Sequence, residues 1–109
     1  MKRYTVSLTI GHNVKNVPTF TTREVCDHVA EYLGVNAFTA YECVGMWEGE
    51  AETSTRIEIS ALNAGEAETI RANVPLLAMA LAQACIMCET RPDRVEFVEA
   101  QTIAAQISA

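Results

Sequence analysis

Gly45-Met46-Trp47-Glu48-Gly49-Glu50-Ala51-Glu52-Thr53-Ser54-Thr55-Arg56-Ile57-Glu58-Ile59-Ser60 is the stretch that decides the fold. Side chains on a strand alternate between faces, so Ile57 and Ile59 point toward a core while Arg56, Glu58 and Ser60 point together the other way. A sheet that only had to fold would need no such row of charge beside its apolar row. Upstream, Phe38 to Trp47 is aromatic and β-branched and reads as a second strand, and Glu48-Gly49-Glu50 suits a turn into a third, roughly Glu52 to Leu62.

Working outward, Tyr4, Val6, Leu8 and Ile10 alternate with Thr5, Ser7 and Thr9 as a half-buried first strand ending near Gly11. His12 to Phe20 reads as a loop. Thr21 with Glu24 forms a capping box, and Val25, Val29 and Leu33 lay an apolar stripe along a helix that Gly34 closes. Asn63 with Glu66 opens a second helix carrying Ala67, Ile70, Val74, Leu77 and Leu81. Pro75 is expected to kink or restart it, with Asn73 as the new cap, because proline lacks the amide hydrogen. Cys85 to Glu89 reads as a short strand, and Arg91-Pro92-Asp93 as a turn into Val95 to Val98, an added hairpin. The tail from Gln101 to Ala109 is weakly amphipathic, a segment to fray or to dock on a partner.

Strand, helix, strand, strand, helix, strand is the order of an α+β, ferredoxin-like sandwich. It has an antiparallel sheet, both helices on one face, and here a C-terminal hairpin. At 109 residues the chain is read as one domain. The open sheet face calls for a ligand, a second subunit or both, so a homodimer or higher homo-oligomer is expected.

Half of the residues are hydrophobic, which excludes a disordered chain, and the net charge of -6 argues against a binder of nucleic-acid backbones. The N-terminus enters a strand directly, and Val74 to Met87 is too short and too interrupted for a membrane span, so a cytoplasmic protein is expected. The four cysteines are expected as free thiols. Cys85-x-x-Cys88 lies on a strand and not at a helix start, and no second pair completes a zinc site, so these side chains are read as core or half-buried. No metal or cofactor is expected.

The sharper reading concerns the open face. Tyr41 and Trp47 share a strand parity and offer two rings for a flat ligand; Arg56 would meet an anionic or carbonyl group, and Glu58 would orient it. Ser7 and Thr9, with Thr5, line the floor, and His12 sits at the end of the first strand within reach of a ligand. Whether Tyr41 or Glu42 shares the Arg56 face stays open, since a bulge near Gly45 would reverse the parity. No activated nucleophile or phosphate loop stands out.

Four landmarks give the chain a resemblance to a group of short, uncharacterised phage and prophage proteins with a ferredoxin-like domain. They are Tyr4-Thr5, Gly45-Met46-Trp47, Glu52-x-Ser54-x-Arg56-x-Glu58 and Gln83-Ala84-Cys85-Ile86, and the match covers about residues 4 to 98. The resemblance implies that fold and a phage-type context, without a mechanism. By analogy with small phage proteins that act against host defence, it points to a protein that sequesters a nucleotide immune signal. Two alternatives stand beside this reading. One is a small enzyme on a nucleotide-like substrate with His12 or Glu58 as base; the other is a protein-binding inhibitor or adaptor using the acidic turn and a strand edge.

Overall fold

The computed structural model describes residues 2–100. Its elements are β1 (Arg3–Gly11), β2 (Asn13–Val14), β3 (Val17–Pro18), α1 (Thr22–Leu33), β4 (Thr39–Trp47), β5 (Glu50–Leu62), α2 (Ala64–Ala80) and β6 (Met87–Asp93). The main sheet is antiparallel in the order β4-β5-β1-β6, with β1 and β5 central, and this arrangement fits a ferredoxin-like fold. One core forms where Val6, Leu8 and Ile10 of β1 and Ile57, Ile59 and Leu62 of β5 meet Val25, Val29 and Leu33 of α1 and Ala67, Ile70, Val74 and Leu77 of α2. Both helices therefore cover the same sheet face.

Local chemistry explains where the elements begin. Thr21 and Glu24 close a complete capping box on α1, and Asn63 and Glu66 close another on α2, each satisfying amide hydrogens that the first helical turn leaves free. Gly34 ends α1 in the left-handed conformation, which a residue without Cβ adopts at little cost. Glu48 and Gly49 both have positive φ in the turn between β4 and β5, the geometry that matches the twist of a two-residue hairpin. β5 carries one extra residue against β1, with Ala61 at φ 61°, so the end of the strand bends there.

Several expectations need correcting. The residues from His12 to Phe20 contain a small hairpin: Lys15 and Asn16, both at positive φ, turn β2 back onto β3. Pro75 lies within one continuous helix, so Asn73 caps nothing, and the helix gives up a single backbone bond at that turn. The terminal hairpin does not form. Arg91-Pro92-Asp93 is strand, and β6 runs through it as an edge strand paired only with β1, where a proline lacking its N–H is tolerated. Val95 to Val98 has no regular structure, and the tail from Gln101 lies outside the described residues. Cys85 is exposed ahead of β6, whereas Cys26, Cys43 and Cys88 are half-buried, and all four are free. No helix among the described residues is long and apolar enough to cross a membrane.

Candidate functional site

Strand register decides which side chains share the open face, because residues directly opposite in a sheet project to the same side. Three rows cross it. Thr39, Glu58, Ser7 and Glu89 form one; Tyr41, Arg56, Thr9 and Met87 the next; Cys43, Ser54 and Gly11 the third. Gly45 beside Glu52 and Trp47 beside Glu50 continue them toward the hairpin tip. Tyr41, not Glu42, therefore sits beside Arg56, and Trp47 lies on the same side.

At one end of the face the polar groups saturate one another. Glu58 accepts from Ser7 Oγ, from Arg91 Nη2 at 3.1 Å and from Arg56 Nε at 3.2 Å. Arg56 Nη1 also donates to Thr9 Oγ1 at 2.7 Å and to Glu89 Oε1 at 2.8 Å, while Arg91 Nη1 donates to Ser7 Oγ at 2.7 Å. Next along β1, Thr5 Oγ1 donates to Asp93 Oδ2 at 2.8 Å. Burial pushes the Glu58 carboxyl upward, but the hydrogen bonds from Ser7, Arg91 and Arg56 outweigh it and hold the group below the usual carboxylate range. The hydrogen bond to Glu89 leads the causes that raise Arg56, with burial opposing. Glu58 is thus an ionised, fully engaged acceptor and a poor proton acceptor for chemistry.

The other end is open. A cleft of about 590 Å³ there is lined by Tyr41, Trp47, Arg56, Thr9, Glu52 and Gln83, among others, a size suited to a small organic ligand. Its floor is built from small side chains, with Gly11, Cys43, Gly45 and Ser54 all at its surface. Trp47 is 69% exposed and Tyr41 49%, so both rings leave aromatic faces uncovered. Glu52 is half-buried, and its Oε2 accepts from the Asn13 amide at 2.7 Å. Among the described residues no Lys or Arg pairs with Glu52, whereas Glu58 and Glu89 both have arginine partners.

The structure thus brings Tyr41, Trp47, Arg56 and Thr9 together around one cleft, with Glu58 and Ser7 tied to it through Arg56. It does not bring His12 there. His12 continues the core-facing parity of Ile10, is 5% exposed, and places Nε2 at 2.6 Å from Thr55 Oγ1, which in turn lies 3.0 Å from Thr22 Oγ1. Its carbonyl accepts from the Thr19 and Phe20 amides, so it braces the entry to α1 on the helix side of the sheet. His28 stays on α1, with Nδ1 near the Glu24 carbonyl at 2.8 Å. Glu52 and Gln83 were visible only as parts of an acidic turn and a strand entry; that they line one cleft follows from the register and from the turn after α2. Among the described residues no group of three or more His, Cys, Asp or Glu side chains is placed to hold a metal ion.

No protein-family model matches the chain, and no curated protein does. Among solved structures the fold is similar to that of a phage SAM lyase. In complex with S-methyl-5′-thioadenosine that enzyme aligns with a TM-score of 0.60 at 20% identity, over 89% of this chain and 93% of its own. In the apo state it aligns with a TM-score of 0.58 at 17% identity, over 90% and 94%. At this identity the likeness establishes a shared fold.

Proposed function

We propose that the cleft binds S-adenosylmethionine and splits it, releasing S-methyl-5′-thioadenosine. The observation that carries this reading is the composition of the cleft. Its one carboxylate, Glu52, has no cationic partner among the described residues and lines the cleft together with the exposed rings of Trp47 and Tyr41. A sulfonium is a permanent cation, drawn both to a carboxylate and to the negative faces of aromatic rings, and adenine stacks on the same kind of ring. A phosphate-bearing signal fits less well. Arg56 and Arg91 are already committed to Glu58 and Glu89, and the net charge is -6.

The chemistry suits a site without an activated nucleophile. Sulfonium sulfur leaves with the bonding electron pair as a neutral thioether and needs no proton. The amino-acid fragment balances the broken C–S bond through its own carboxylate, one oxygen of which attacks the carbon that sulfur leaves and closes a ring, so no proton has to be placed. The protein then has to position the substrate, exclude water and balance its charge, which are roles for Trp47, Tyr41 and Glu52.

Likeness of fold to the phage SAM lyase supports the same ligand class, and with the sequence landmarks it supports a phage-type accessory protein acting in a host cytoplasm. The exposed rings, together with Val44 at 70% exposure on the edge strand β4, support a homo-oligomer that covers them at a subunit junction.

Incubating purified protein with S-adenosylmethionine, then separating and denaturing it for chromatography, tests the reading. Methylthioadenosine is the expected product. Intact S-adenosylmethionine released from the protein would instead establish sequestration. Neither ligand retained nor product formed would overturn the reading and turn the search to cyclic dinucleotides, ADP-ribose derivatives or a protein partner.

A further inference from the structure

Gly11 closes β1 beneath the cleft, and its φ lies outside the left-handed region, so the backbone there does not demand glycine. What demands it is space. A Cβ at Gly11 would lie 2.5 Å from Glu52 Oε2 and 2.6 Å from both Cδ and Oε1. The whole carboxylate occupies the volume that any other side chain would take. Asn13 supplies the donor from the adjoining residues, with its amide 2.7 Å from Oε2. Gln83 fixes Asn13 in turn, donating from Nε2 to its carbonyl at 2.9 Å, while the Gln83 amide donates to Ala78 O at 2.9 Å and so ties this support to the end of α2.

We propose that Gly11 is the positioning residue of the cleft: the space left by its absent side chain is the seat that holds the Glu52 carboxylate low on the floor, aimed at the cationic group of the ligand. This rests on the reading that the cleft takes a cation. The seat has two sides, the missing Cβ and the Asn13 amide, so charge is placed without an ion pair to any Lys or Arg among the described residues. In Gly11→Ala the three atoms nearest the new methyl all belong to the mobile end of Glu52. The variant is therefore expected to fold and to displace the carboxylate.

Two readouts on one set of variants test this. In ¹⁵N-labelled protein, the Asn13 amide resonance is followed through an acid titration in wild type, Gly11→Ala and Glu52→Gln. It is expected to move as the carboxylate loses its charge in the wild type, not to move in Glu52→Gln, and to move much less in Gly11→Ala. A full wild-type movement in Gly11→Ala would overturn the seat. The second readout is affinity for S-adenosylmethionine. Gly11→Ala is expected to lose about tenfold and Glu52→Gln about a hundredfold, with the double variant binding no more weakly than Glu52→Gln alone. Losses that multiply in the double variant would show that Gly11 acts independently of Glu52 and overturn the proposal. A wild type that binds no S-adenosylmethionine removes the proposed function, while the Asn13 titration still decides the seat.

Discussion

The two ends of the open sheet face are made from the same alternation and have opposite fates. Around Glu58, every charge meets its complement: Arg56, Arg91, Ser7 and Thr9 fill the available donor and acceptor positions, and the side chains of Arg56 and Glu58 are only 18% and 21% exposed. Around Glu52, two aromatic rings stand in solvent and a carboxylate is held by a backbone amide, with no ion-pair partner among the described residues. A saturated polar patch is scaffold, because nothing remains for a ligand to bind without breaking existing bonds. An unsaturated one, built over glycines and small side chains, leaves its binding capacity unused. The difference lies in partners, not in residue types, since both ends carry glutamates on β5.

Removing the lone charge breaks this comparison most sharply. Glu52→Gln keeps the shape and the hydrogen bond from Asn13 but takes away the negative charge, so affinity for S-adenosylmethionine should fall about a hundredfold, and turnover with it. Calorimetric titration and a chromatographic assay for methylthioadenosine check this, with circular dichroism as the control for folding. Trp47→Ala comes next. Loss of one stacking ring should weaken adenine binding about tenfold without lowering the melting temperature, since a side chain this exposed contributes little to the core. A melting temperature that falls with affinity would assign Trp47 to packing.

These two residues also mark how far the chain could be read without coordinates. The alternation of Ile57 and Ile59 with Arg56 and Glu58 placed the core and the open face, because a period of two leaves no freedom once one face is buried. Both capping boxes were readable because their partners are three residues apart. The long-range register was not. That Tyr41 lies beside Arg56, that Glu52 rests over Gly11, and that Gln83 reaches Asn13 depend on pairings between distant strands. Its position after the first strand suggests the ligand side for His12, yet parity with Ile10 turns it into the layer beneath α1. Arg91-Pro92-Asp93 looked like a turn because proline usually marks one; an outer edge strand is the exception that composition alone does not reveal.

The scaffold end is sharpened by pH. The Glu58 carboxyl sits below its ordinary range in the folded protein, because hydrogen bonds from Ser7, Arg91 and Arg56 outweigh burial. A group lowered on folding stabilises the protein fully above its unfolded range and loses that contribution as pH falls through that range to the lowered folded value. Glu58→Gln should therefore cost about 1–3 kcal/mol at neutral pH. Urea denaturation should show the gap to wild type closing on acidification through and below the usual carboxylate range. A gap independent of pH would mean that Glu58 acts there through its shape and not its charge.

The smallest effect separates the two arginines. Arg91 is 46% exposed and shares Glu58 with Arg56, while Arg56 is 18% exposed and joins Thr9, Glu58 and Glu89 at once. An exposed ion pair is screened by water and salt and gives back part of its gain in side-chain entropy. Arg91→Ala should thus cost less than about 1 kcal/mol, with the loss shrinking at high salt, and should leave ligand affinity near wild type because Arg91 does not line the cleft. Arg56→Ala frees Glu58 and Glu89 together and removes a wall of the cleft, so it should lower both stability and affinity. Equal effects of the two substitutions on ligand binding would join the two ends of the face into one electrostatic unit, and the division between scaffold and site would no longer hold.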